Sequence, residues 1–324
     1  MTLRLLGALL LALLLAVTLG LAVGAVPLAP AAVWQAIFGV GDPSAVAIVQ
    51  GLRLPRVTLG VIVGAGLATS GTALQATLRN PLAEPYLLGV SGGAAVGAVL
   101  TVIFGLTAPA LLPLSAFAGA TAAVVLVLLV ARAAGGRADP RVLLMAGVVI
   151  GAFCTAAIMV ALATAPENTV RGALWWMMGS LGDAQWPSVR WIALYVAVGI
   201  SLLFWWGRDL DVLSLGEDAA ASLGLDVERV TRRIYLTASL LAAATVAGAG
   251  LIGFVGLIVP AIARALGART SRATLVASAL AGGALVVGAD LVARTVLRPT
   301  ELPLGAVTAL VGVPFFLWRL RITR

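Results

Sequence analysis

VTLGVIVGAGLATSGTALQATLRNPLAEP, residues 57–85, decides the fold. Its first 22 residues, 57–78, hold no charge. A helix crosses a bilayer core with about 20 apolar residues, so this run is long enough to span. Arg79, Asn80, Pro81, Glu84 and Pro85 follow at once. Proline lacks a backbone donor, so the pair should stop the helix. Glu84 is expected to stay near water or to pair with a nearby arginine.

Composition extends this reading to the whole chain. Hydrophobic residues make up 61% of the 324 and charged residues 10%, with a mean hydropathy of +1.11. Soluble domains carry about 25% charged residues. The expected class is therefore an all-α polytopic membrane protein, one transmembrane domain over residues 1–324. All 21 basic residues are arginine; lysine and histidine are absent. A P-loop sets a lysine on its phosphates, so this chain has no nucleotide site of that kind. Histidine acid–base chemistry and a His/Cys metal site fall by inventory. Cys154, the one cysteine, forms no disulfide within the chain and is expected to be buried. The net charge of +8 fits arginines flanking spans; no nucleic acid partner is expected.

Apolar runs fall at 5–26, 57–78, 85–131 (two spans, broken near Pro109 and Pro113), 142–165, 187–206, 234–257, 273–293 and 302–318, with a short or broken helix at 258–267. That makes about ten helical crossings. The first run is longer than a signal-peptide core and reads as an uncleaved span. With alternating crossings, fifteen arginines, Arg4, Arg79, Arg137, Arg264 and Arg324 among them, fall on one side. Six fall on the other: Arg53, Arg56, Arg171, Arg190, Arg294 and Arg298. Arginine-rich sides are cytoplasmic, so both termini are expected inside.

The longest polar stretch, residues 207–233, holds six of the thirteen acidic residues and falls on the inner side. Leu215, Ala219 and Leu223 repeat at helical spacing, and Gly224 suits a helix end. A short surface helix over about 214–226 is expected, as a docking face for a cytoplasmic partner. On the outer side, residues 166–186 carry Trp175, Trp176 and Trp186, which suit the headgroup level. The tetrapeptide GAGL occurs at 64–67 and 248–251, each before a proline. With opposite directions for the two spans, it suggests an inverted repeat.

Several motifs together resemble one family. They are RLPR (53–56), GLATSGTALQATLRNPLAEPYLLGVSGGAAVG (66–97), GEDAAASLG (216–224), GLIGFVGLIVPAIAR (250–264), AD (289–290) and ELPLGAVTALVGVPFF (301–316). They are similar to permease subunits of ABC importers for iron–siderophores, haem and vitamin B12, the FecCD family. The resemblance runs from about residue 50 to the end, and it implies about ten helices per subunit. It also implies a homodimer in the bacterial inner membrane, two cytoplasmic ATPase subunits that bind ATP and Mg, and an outer substrate-binding protein. The cargo it implies is a metal chelate, with no cofactor in this chain and no enzymatic activity of its own. By the same resemblance Gly216, Glu217, Asp218, Ala220, Leu223 and Gly224 form the coupling segment. Arg53, Arg56 and Arg294 match arginines that meet acidic residues of the binding protein. Asn80 and Leu82 match residues of the inner gate. The family commonly carries histidine after the proline of GLIVP; here it is Ala261.

The alternative is a secondary transporter driven by an ion gradient. It calls for an ionisable group deep in a span. Here the candidates, Glu84 and Asp290, lie near span ends, and the spans' middles are uncharged. Gly64, Gly66, Gly71, Gly89, Gly92 and Gly93 are expected to let helices pack closely and slide.

Overall fold

The computed structural model describes residues 2–106, 108, 110–133 and 139–322. Pro109, Arg137 and Arg324 lie outside the described residues. Among those described, the chain is helical without strands. Inner and outer below follow the arginine assignment.

Helix α1 (Leu3–Ala22) runs from the inner end to the outer. Two short helices, α2 (Pro30–Ile37) and α3 (Pro43–Ile48), lead through a π-helical turn into α4 (Leu54–Thr77). Then follow α5 (Val90–Ile103), α6 (Leu111–Ala133), α7 (Pro140–Ala163), α8 (Glu167–Met177) and α9 (Trp186–Trp205). The chain closes with α10 (Gly207–Leu213), α11 (Glu217–Ser222), α12 (Val227–Ala249), α13 (Val255–Ala265), α14 (Ser271–Ala293) and α15 (Leu304–Ile322). Among the described residues, six helical stretches are long and apolar enough to cross a bilayer: α1, Pro43–Thr77, α6, α7, α9 and α14. Shorter apolar helices, Val90–Ile103, Val255–Ala265 and Leu304–Leu317, accompany them. Helix α12 has the length, but Glu228, Arg229, Arg232 and Arg233 charge its first turns.

Helix α4 is the centre of the bundle. Most of its residues are buried, whereas α1, α7 and α9 turn Leu11, Leu14, Val149, Met159, Trp191 and Leu194 outward, as lipid-facing helices do. Its closest partner is the antiparallel α14. A Cβ on Gly64 would stand 2.1 Å from the Gly282 carbonyl oxygen, and one on Gly282 2.3 Å from that of Gly64. The two backbones touch because neither residue has a side chain. Deeper along the same seam, the Thr72 hydroxyl donates to Ser278 Oγ at 2.9 Å. Gly66 faces Thr245, Gly71 the Gly256 carbonyl, Gly92 Cys154 and Gly93 the Gly119 carbonyl. Gly89 has φ 78° and starts α5.

The break expected near Pro109 and Pro113 falls between Ile103, the end of α5, and Leu111, the start of α6; Pro113 itself lies in the first turn of α6, where the missing N–H is no loss. The span expected over 234–257 ends instead at Ala249, because Gly250 takes φ 69° and Phe254 φ 68°. The helix resumes as α13.

GAGL does not mark the repeat. Gly64 lies mid-helix against α14, whereas Gly248 to Leu251 are the end of α12 and the start of the break. A repeat is visible in helix lengths instead. Helices α4 to α7 have 24, 14, 23 and 24 residues, and α12 to α15 have 23, 11, 23 and 19. In each run a non-helical break follows the first helix.

Candidate functional site

The two breaks meet. Gly248 packs beside Leu59 and Gly256 beside Gly71, so the chain between them descends past twelve residues of α4, about 18 Å at the helical rise. Much of that descent is unwound backbone at membrane depth, where every polar group needs a protein partner. Residues after α4 supply them. The Tyr86 hydroxyl accepts from Ile252 N–H at 2.7 Å, and the Glu84 carboxylate from Phe254 N–H at 2.6 Å. Ser180 N–H donates to the Ala249 carbonyl at 2.9 Å. Glu84 is half-buried, and among the described residues no ion pair to an arginine is seen; it caps the start of α13, where a carboxylate is favoured.

Pro260 inside α13 sets a further demand. It has no N–H to give the Gly256 carbonyl four residues back. Gln75 of α4 fills that place, donating through Nε2 to the Gly256 and Leu257 carbonyls, each at 3.2 Å. Its own oxygen accepts from Arg264 at 2.6 Å. Ala261 beside the proline is half-buried. A cavity of about 310 Å³ opens above the break, lined by Tyr86, Leu251, Gly253, Phe254, Met178 and Ala306 among others.

At the inner end, Asn80 turns on itself: its Oδ1 accepts from Leu82 N–H at 2.9 Å, and its carbonyl from Ala83 N–H. The Leu82 side chain is exposed. A second cavity of about 290 Å³ lies beside this turn, with Arg79, Arg264, Arg269, Asp211 and Thr72 in its wall.

The segment expected as a short helix over about 214–226 holds one, α11 at Glu217–Ser222. Gly216, with φ 111°, separates it from α10, and Gly224, with φ 83°, follows it. Within α11, Ala220 is the buried residue that holds the helix down. Leu215 and Leu223 are 65% and 66% exposed. Glu217 and Asp218 also face outward.

At the outer end the structure brings Arg53, Arg56 and Arg294 together and turns them inward. Arg53 is buried, and it donates to the Leu21 carbonyl at 2.6 Å, to that of Ala22 at 3.0 Å and to that of Val26. The first two are carbonyls at the end of α1, which have no partner within their own helix; Val26 lies in the loop just beyond it. Gly24 leaves the room: a Cβ there would meet the guanidinium at 2.7 Å. Arg56 lies between two carboxylates, Asp290 at 2.8 Å and Glu301 at 2.8 Å, the latter held by two parallel bonds. Arg294 pairs with Asp290 at 3.4 Å and donates to the Gly20 carbonyl. The Arg56 hydrogen bond holds the Glu301 carboxyl below its usual range, against a smaller opposing effect of burial. Glu301 and the Asp290 pairing escaped the sequence reading, since 234 and 245 residues separate them from Arg56.

On the outer surface Trp175 is exposed, and Trp186 donates to the Gln50 carbonyl at 3.1 Å.

The FecCD transport family model matches residues 11–321. This chain belongs to the FecCD transport family. Its relatives are of several named kinds. It is 42% identical over 306 residues to the cobalamin import system permease protein BtuC of Halobacterium salinarum, covering 93% of this chain and 80% of that one. It is 37% identical to the Fe(3+)-citrate import system permease protein YfmE of Bacillus subtilis, covering 92% and 89%. With the hemin transport system permease protein HmuU of Yersinia pestis it shares 39%, covering 82% and 81%. The fold matches that of a solved ABC transporter, described as of metal-chelate type and in an inward-facing conformation, with a TM-score of 0.86 and 28% identity over 98% of both chains.

Proposed function

We propose that this chain is the permease subunit of a binding-protein-dependent ABC importer and carries a chelated metal compound inward. The observation that supports this best is the match over 98% of both chains to the metal-chelate transporter. The relatives named for cobalamin, hemin and Fe(3+)-citrate have one cargo chemistry in common, a metal wrapped in an organic ligand. With no histidine and one cysteine in the chain, the path handles the wrapper, not the metal.

ATP and Mg are bound by a separate ATPase, and two copies of this chain form the path. The residues contribute positions. Leu215 and Leu223, apolar and exposed beside α11, suit a partner surface better than water. Asn80 and Leu82 sit where the chain turns at the inner end of α4, and they are the proposed inner gate. At the outer end a binding protein reaches Arg56 first. The Arg56 and Arg294 side chains are 14% and 8% exposed, and Arg53 is committed to α1. Docking through these arginines requires their internal carboxylates to be exchanged, which lends it a strong salt dependence.

The ion-gradient alternative loses its candidates. Asp290 is bracketed by Arg56 and Arg294, and Glu84 caps α13. Co-expression with the candidate ATPase, followed by native mass spectrometry, tests the assembly. Two copies of each subunit are expected; recovery of this chain without the ATPase refutes it.

A further inference from the structure

Arg79 lies between α4 and the break, with φ 48°. Residues with a side chain seldom adopt this conformation, and it costs of order 1–3 kcal/mol. The turn sends the guanidinium away from α4 to Glu217 Oε1 on α11, 2.9 Å away and 138 residues on. Among the described residues, this is the one ion pair that joins α11 to the spans. Both side chains are nearly half exposed, at 42% and 49%. Exposed pairs contribute about 0–1 kcal/mol to stability, less than the backbone strain. The pair is therefore poorly explained as a stabilising contact, and its weakness suits a joint that reforms as α11 shifts.

The segment beyond Arg79 is stiffened by hydrogen bonds between residues near in sequence. Asn80 N–H donates to the Gln75 carbonyl at 3.2 Å, Leu82 N–H to Asn80 Oδ1, and Ala83 N–H to the Asn80 carbonyl. It ends at Glu84 and Tyr86, which hold Phe254 N–H and Ile252 N–H. One end of residues 79–86 thus grips α11, and the other grips the unwound backbone that walls the cavity of about 310 Å³.

We propose that residues 79–86 are a strut, jointed by Arg79–Glu217 at α11 and by Glu84 and Tyr86 at the 250–254 break, that transmits displacement of α11 to the path and carries Leu82 with it. Arg79 and Glu217 are then positioning residues. The strut rests on the permease reading above and adds the residues that do the coupling.

The test uses the chain assembled with its ATPase in proteoliposomes, with Cys154→Ala and Leu82→Cys. The reaction rate of position 82 with a maleimide is compared with and without ATP plus vanadate. The rate should change about fivefold or more. Arg79→Glu should cut the change to below about twofold, and the swapped pair Arg79→Glu/Glu217→Arg should restore it. Arg79→Gly keeps the backbone turn, since glycine takes φ 48° freely, and should fail as Arg79→Glu does. A full nucleotide response in Arg79→Gly overturns the strut, as does a swapped pair no better than Arg79→Glu alone. If the complex hydrolyses ATP but position 82 never responds, the strut falls and the permease reading stands. A chain that does not bind the ATPase at all sinks both.

Discussion

Gln75 occupies a position that only the fold makes intelligible. In sequence it is a lone amide in an apolar run. In the structure it supplies the donor that Pro260 cannot give the Gly256 carbonyl. Gln75→Leu should leave that buried carbonyl unpaired and cost about 1–3 kcal/mol, read as a lower denaturation midpoint in detergent. Glu301 allows a pH test. Its folded pKa is depressed by Arg56, so the contribution is complete above the unfolded value of about 4.3 and is lost as pH falls through the lower folded value. The unsubstituted protein should melt above Glu301→Gln at neutral pH, and the gap should close in acid below that folded value. A gap that persists unchanged there would place the effect elsewhere. The sequence placed Arg53, Arg56 and Arg294 correctly on one side, because charge counts report position relative to a membrane. It was silent on their partners: the pairing to Asp290 and Glu301 spans most of the chain, and no local pattern encodes it.

At the scale of elements, long apolar runs were legible, and so were the breaks that prolines mark after α4 and between α5 and α6; the break after α12 was not. Helices α1, α4, α7, α9 and α14 fall close to the runs read from hydrophobicity. Where α12 stops depends on positive φ at Gly250 and Phe254, which hydropathy does not register. The two GAGL copies sit at unlike places, mid-helix in α4 and at the end of α12, as a short match in a chain rich in glycine and alanine can; helix lengths carry the pattern better. The α4–α14 seam gives a direct prediction. Gly64→Ala drives a methyl into the Gly282 backbone and should cost about 1–3 kcal/mol or more, with a matching fall in thermal midpoint; an unchanged midpoint contradicts the contact. The surface around α11 gives the opposite one. Leu215→Ser with Leu223→Ser touches exposed side chains, so the midpoint should hold within about 0.5 kcal/mol. Binding to the ATPase should weaken by about tenfold, as for the loss of apolar contacts worth roughly 1.4 kcal/mol. Unaltered affinity would remove these leucines from the interface.

Across the whole molecule, the bundle is built around α4, with its two helical breaks locked together beside a cavity and α11 tied to one of them. Asp290 and Glu84, the two carboxylates weighed as carriers of a driving ion, are paired and capping, which favours an energy supply from a partner. The decisive measurement is uptake into proteoliposomes that hold this chain, its ATPase and its binding protein, with cyanocobalamin, haemin and ferric citrate as probes. The account predicts accumulation of at least one probe that requires ATP and the ATPase and is indifferent to proton and sodium ionophores. Accumulation that follows an imposed ion gradient without ATP would contradict it.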